Sequence, residues 1–95
     1  MLEYAMSKAA LHSLTRSLAG IGAPCVTVNA VAPGLILSRE MRGRLPPEEL
    51  NAKFRRIPAG RGATPGEVVN AILFVIENSY ITGETVNING GTDMC

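Results

Sequence analysis

The stretch that most limits what this chain can fold into is Cys25-Val26-Thr27-Val28-Asn29-Ala30-Val31-Ala32. It is β-branched and apolar, shows no in–out alternation, and lies between Pro24 and the pair Pro33-Gly34. A continuous apolar run between turn formers reads as a strand covered on both faces, the kind found in parallel sheets flanked by helices. A parallel strand pairs through a crossover, not a tight hairpin. The second strand-like run, Thr85 to Asn89, lies far along the chain, beyond helical sequence. Two such strands are a poor nucleus alone. The chain is therefore expected to be α/β, with about two strands and three helices, and incomplete as a domain.

The helices come from the spacing. Residues 2–20 carry Leu2, Met6, Ala9, Ala10, Leu11, Leu14 and Leu18 at three- and four-residue steps, an amphipathic helix closed by Gly20 and Gly22 with Pro24 as a second stop. Pro46-Pro47-Glu48-Glu49 opens another, with Leu50 and Phe54 on one face. Thr64-Pro65-Gly66-Glu67 is a capping box, and Val68, Val69, Ile72, Leu73 and Ile76 give the third helix an apolar face ending near Asn78-Ser79. Gly60-Arg61-Gly62 lacks the third glycine and the preceding strand of a phosphate loop, and reads as a plain loop.

Within the first helix, Tyr4 and Lys8 lie four residues apart, about 40° around the axis, so both lean over one face. A phenol is a poor acid or base at neutral pH, and a nearby ammonium favours its phenolate form. That pairing suits proton transfer, although the same spacing also arises on any amphipathic helix. His12 reads as a surface or interface group, and Ser7 has no Asp–His pair placed to activate it.

Three stretches together carry a resemblance: Tyr4-Ala5-Met6-Ser7-Lys8, then Val28-Asn29-Ala30-Val31-Ala32-Pro33-Gly34, then Tyr80-Ile81-Thr82-Gly83 leading to Asn89-Gly90-Gly91. In this order they are similar to the short-chain dehydrogenase/reductase family, NAD(P)-dependent oxidoreductases on a Rossmann-type doubly wound parallel sheet. The resemblance implies that residues 1–95 are the C-terminal fragment of one such domain. It also implies Tyr4 and Lys8 as catalytic residues, with Lys8, Pro33, Gly34, Ile36 and Ser38 holding the cofactor, NADP favoured over NAD. Ser38 stands where the family carries a threonine, and Asn89 where it usually carries an aspartate. The family's glycine turn, its N-A-G segment and its catalytic serine are not found in these 95 residues. The implied reaction is hydride transfer to or from a carbonyl or alcohol, on a pteridine-type or a 3-oxoacyl-type substrate. A second reading is a non-catalytic truncated chain that joins oligomers, since the family builds dimer interfaces from the helix bearing Tyr and Lys. The expected partners are a small-molecule substrate and either further copies or a missing N-terminal half.

Residues 39–61 hold seven cations, Arg39, Arg42, Arg44, Lys53, Arg55, Arg56 and Arg61, against three carboxylates, a local +4. The resemblance makes this segment a variable lid over the substrate. Its charge suits either a solvated face or an anionic partner such as a cofactor 2′-phosphate, a phosphopantetheine or an acyl carrier protein. The formal charge of the whole chain is only +1, which gives no general pull toward nucleic acid or membrane. No apolar run reaches a membrane span, and with an amphipathic helix at the start of the sequence Met1-Leu2-Glu3 is not expected to be a signal peptide. Cys25 and Cys95 form neither a disulfide framework nor a metal site, so the expected compartment is the reducing cytoplasm.

Overall fold

The computed structural model describes residues 2–92; Met1 and residues 93–95, with Cys95, lie outside the described residues. Four helices and two strands follow in the order α1 (Leu2–Gly22), β1 (Ala30–Pro33), α2 (Arg39–Arg44), α3 (Pro47–Arg55), α4 (Pro65–Glu77) and β2 (Thr85–Ile88). The α/β class is as the sequence implies, with one helix more. α2 lacks an apolar stripe; it exists because Ser38 caps it, its hydroxyl accepting from Met41 N at 3.1 Å.

The two strands pair in parallel, Ala30 opposite Thr85 through Pro33 opposite Ile88. β1 is thus four residues, not the eight-residue run from Cys25, and the reason lies outside the run. Val26 N bonds back to Gly22 O at 2.9 Å, and Val28 and Asn29 meet a turn instead of a strand. Val28 N donates to Thr82 Oγ1 at 3.1 Å, and Gly83 N donates to Val28 O at 2.8 Å. The Asn29 side chain then clamps the junction, donating from Nδ2 to Ile81 O (3.0 Å) and accepting at Oδ1 from Glu84 N (3.1 Å). The V-N and I-T-G stretches are therefore two halves of one structural clasp.

α1 continues past Gly20 to Gly22. Glycine only weakens a helix, whereas Pro24 has no N–H to continue it, so the proline is the effective stop. Its inward stripe also differs from the expected one. Lys8, His12, Thr15, Ala19 and Gly22 are the covered positions, while Leu2, Met6, Leu11, Leu14 and Leu18 stay 43–72% exposed. Small side chains permit close approach, and a Cβ on Gly83 would sit 3.5 Å from that of Ala19. Likewise α4 turns Val68, Ala71 and Val75 inward and leaves Val69, Ile72, Leu73 and Ile76 outside. The buried apolar residues among those described are Ala19, Ile57 and Val75. Apolar patches of this extent mark surfaces that other elements cover.

The first turn of α4 is as read. Thr64 Oγ1 accepts from Glu67 N at 3.2 Å, and the Glu67 carboxylate accepts from Thr64 N at 2.9 Å. Arg61 adds a bidentate pair to Glu67, both bonds 2.8 Å. Arg61 and the cap together hold the Glu67 carboxyl far below its ordinary range, at about 2. The loop at residues 60–62 therefore braces a helix start.

Candidate active site

A cleft of about 700 Å³ opens beside the C-terminal end of β1. Tyr4, Lys8 and His12 line it from α1, Pro33 from the last position of β1, Gly34 and Leu35 from the segment after it, Lys53 and Arg56 from the end of α3, and Asn87 and Asn89 from β2 and its exit. In open parallel sheets, ligands sit beyond the carboxyl ends of the strands, and this cleft is at that end.

Four of the residues expected from the sequence thus border one space: Tyr4, Lys8, Pro33 and Gly34. The Lys8 ammonium sits 5.5 Å from the Tyr4 ring centroid. At an exposed tyrosine such a contact is worth about 0.5–1 kcal/mol, less than the roughly 1.5–3 kcal/mol of one charge-assisted hydrogen bond. A ligand hydroxyl can therefore draw the ammonium off the ring.

Gly34 is where the chain passes closest to β2's exit. Its N–H donates to Ile88 O at 2.9 Å, and a Cβ there would lie 3.0 Å from Asn89 Cα. Ile36 does not line the cleft. It forms a parallel bridge with Ala63, made by Leu37 N to Ala63 O (2.7 Å) and Ala63 N to Leu35 O (2.8 Å). That pattern turns Ile36's own N–H and C=O to the opposite side of the segment. The Ser38 hydroxyl accepts from Met41 N as the α2 cap, which leaves its proton to donate elsewhere. Asn89, the residue in place of an aspartate, accepts from Gly91 N at 3.0 Å through Oδ1, a bond either side chain supplies.

Sequence reasoning missed His12, Lys53 and Arg56 as cleft residues. His12 had a usable signal, since it extends the Tyr4–Lys8 row by four more residues. Lys53 and Arg56 had only their three-residue spacing.

The family model described as enoyl-(acyl carrier protein) reductase matches residues 2–93. The chain belongs to the short-chain dehydrogenase/reductase family. Within this family it is 44% identical over 92 residues to a 3-oxoacyl-[acyl-carrier-protein] reductase of Rickettsia bellii (strain RML369-C), covering 94% of this chain and 38% of the relative. It is 46% identical over 94 residues to the enzyme of that name from Aquifex aeolicus (strain VF5), covering 95% and 37%. Among solved family members, the Pseudomonas aeruginosa RhlG/NADP active-site complex superposes with a TM-score of 0.83 at 36% identity, over 94% of this chain and 38% of that one. The chain thus spans under two-fifths of the length of each of these three family members. Its sheet is Rossmann-type, with two parallel strands among the described residues. Among the described residues no helix is long and apolar enough to cross a membrane.

Proposed function

We propose that this chain is the C-terminal, proton-handling part of an NAD(P)(H)-dependent reductase acting on 3-oxoacyl-type thioesters. The observation that carries the reading is the convergence of Tyr4, Lys8, Pro33 and Gly34 on one cleft at the strand ends. The 3-oxoacyl class is favoured over a pteridine by the names of the relatives. NADP is favoured over NAD by the complex that its structural neighbour forms.

The residues present suit the nicotinamide end of a dinucleotide. Lys8 offers up to three N–H donors to ribose hydroxyls, and Ile36 presents backbone groups away from Ala63. When bound, the nicotinamide supplies or accepts the hydride. In the reducing direction Tyr4 gives its phenolic proton to the carbonyl oxygen as that oxygen becomes an alcohol; in the oxidising direction it takes the proton back. Lys8 holds a positive charge beside that ring, 5.5 Å from its centroid. Pro33 and Gly34, where β1 ends, bound the space in which the reacting groups meet, and Ser38 adds a hydroxyl donor to the segment that follows.

The test is complementation. The purified chain is mixed with the N-terminal portion of a 3-oxoacyl reductase, and NADPH consumption is followed with a 3-oxoacyl thioester. Turnover that Tyr4→Phe lowers by about a hundredfold or more, the range of a general acid, supports the reading. Turnover indifferent to Tyr4→Phe overturns it, and so does assembly without turnover, the outcome of a purely oligomerising chain.

A further inference from the structure

We infer that the cleft carries a phosphate subsite, formed by Lys53 and Arg56, that receives the carrier arm of the substrate. This rests on the reading of the cleft as the place of an acyl thioester. Lys53 and Arg56 stand three residues apart at the end of α3, so their side chains share a face, and both line the cleft while Arg55 does not. The Arg56 N–H bonds to Lys53 O and Phe54 O, which ties the two residues together at the C-cap.

Lys53 and Arg56 are exposed, and the charge pattern of the cleft is what marks them out from other surface cations. Lys8, Lys53 and Arg56 border one cavity, and no carboxylate is among its described lining residues. Neither Lys53 nor Arg56 has an ion pair among the described residues, where the one salt bridge joins Arg61 to Glu67. Like charges around a concave space sum their potential within it. An ammonium beside a guanidinium is a strong donor set for phosphate oxygens. Ala32, Leu35 and Ile57 line the same space and suit an uncharged arm. A ligand with a phosphate at one end, a flexible neutral arm and a thioester-borne carbonyl at the other matches all three features. The 2′-phosphate of a nucleotide is the other source of the same chemistry.

The 95-residue chain is titrated with 4′-phosphopantetheine and with pantetheine, and in parallel with 2′,5′-ADP and 5′-AMP, following backbone amide shifts. Phosphopantetheine is expected to bind about tenfold more tightly than pantetheine, the scale of one charge-assisted hydrogen bond. The preference falls with salt, disappears in Lys53→Gln/Arg56→Gln, and survives in the control Arg39→Gln/Arg42→Gln, whose residues lie outside the cleft lining. Unchanged amide shifts at Val28, Gly83 and Glu84 certify the fold of each variant. Equal affinity for the two arms, no binding of either, a preference that survives in the double variant, or a preference confined to the 2′-phosphate overturns the inference. Each of these results is independent of the Tyr4→Phe assay, so the subsite and the hydride chemistry fail separately.

Discussion

Replacing Asn29 with alanine tests how the sheet is held in register. The side chain is half-buried and makes two bonds, Nδ2 to Ile81 O at 3.0 Å and Glu84 N to Oδ1 at 3.1 Å. The next bond, Ala30 N to Glu84 O at 2.9 Å, opens the β1–β2 ladder. Each hydrogen bond is worth about 0.5–1.5 kcal/mol net, and Glu84 is exposed enough for water to replace part of the loss. The expected local cost is therefore about 1–2 kcal/mol, a factor of about 5–30 in the opening equilibrium. Amide hydrogen exchange reads this directly at Glu84 N and Ala30 N. Both amides should exchange about 5–30 times faster in Asn29→Ala. Asn29→Asp keeps an acceptor for Glu84 N but sets a carboxylate oxygen against Ile81 O, and should fall between the two. Protection at Glu84 and Ala30 unchanged in Asn29→Ala would refute the clasp as what joins the strand to the turn.

Three other perturbations follow from the same geometry. Thr64→Ala removes the cap of α4 and should cost about 1 kcal/mol, read as a lower denaturant midpoint at constant slope. The Glu67 carboxyl, at about 2 in the fold against an ordinary 4.5, stabilises the α4 start fully above pH 4.5. That contribution is lost as pH falls from 4.5 toward 2, and a carboxyl-carbon NMR titration of Glu67 should show a midpoint near the lower value, not the ordinary one. Gly90 has φ +62°, and a Cβ there would lie 2.8 Å from Ile57 Cγ2. Gly90→Ala should therefore destabilise by about 1 kcal/mol or more, with the largest amide shifts at Ile57 and Ala59, whose N–H donates to Gly90 O.

The parts of the fold that were legible are those whose causes are local. Thr64, Pro65 and Glu67 carry the whole start of α4 within four residues, and Leu50 and Phe54 are the half-buried positions of α3 as their spacing requires. β1 was read too long because its limits are set by residues 81–88, a partner that no window around Cys25 contains. α2 went unread because its only signal is the Ser38 hydroxyl, which the resemblance had assigned to the cofactor. The inward face of α1 was misassigned for a physical reason. Its leucines mark where apolar cover is wanted, and within these residues that cover is absent, so the small stripe through Thr15 and Ala19 packs instead. At the site, Tyr4, Lys8, Pro33 and Gly34 were readable as motif residues. Lys53 and Arg56 share a helix face by their three-residue spacing, but that face meets Tyr4 and Lys8 only through the packing of α3, which spacing does not reveal.

The central proposal is that Tyr4 and Lys8 form a proton-transfer pair beside a nucleotide held mainly by other residues. NADPH fluorescence measures it most directly, by titrating the chain alone and then with the N-terminal portion of a 3-oxoacyl reductase. No saturable binding is expected from the chain alone, and saturable binding is expected on mixing, which Tyr4→Phe leaves intact and Lys8→Met weakens by about tenfold, one ammonium–hydroxyl bond. Saturable NADPH binding by the 95 residues alone, or binding on mixing that is indifferent to Lys8→Met, would contradict the proposal.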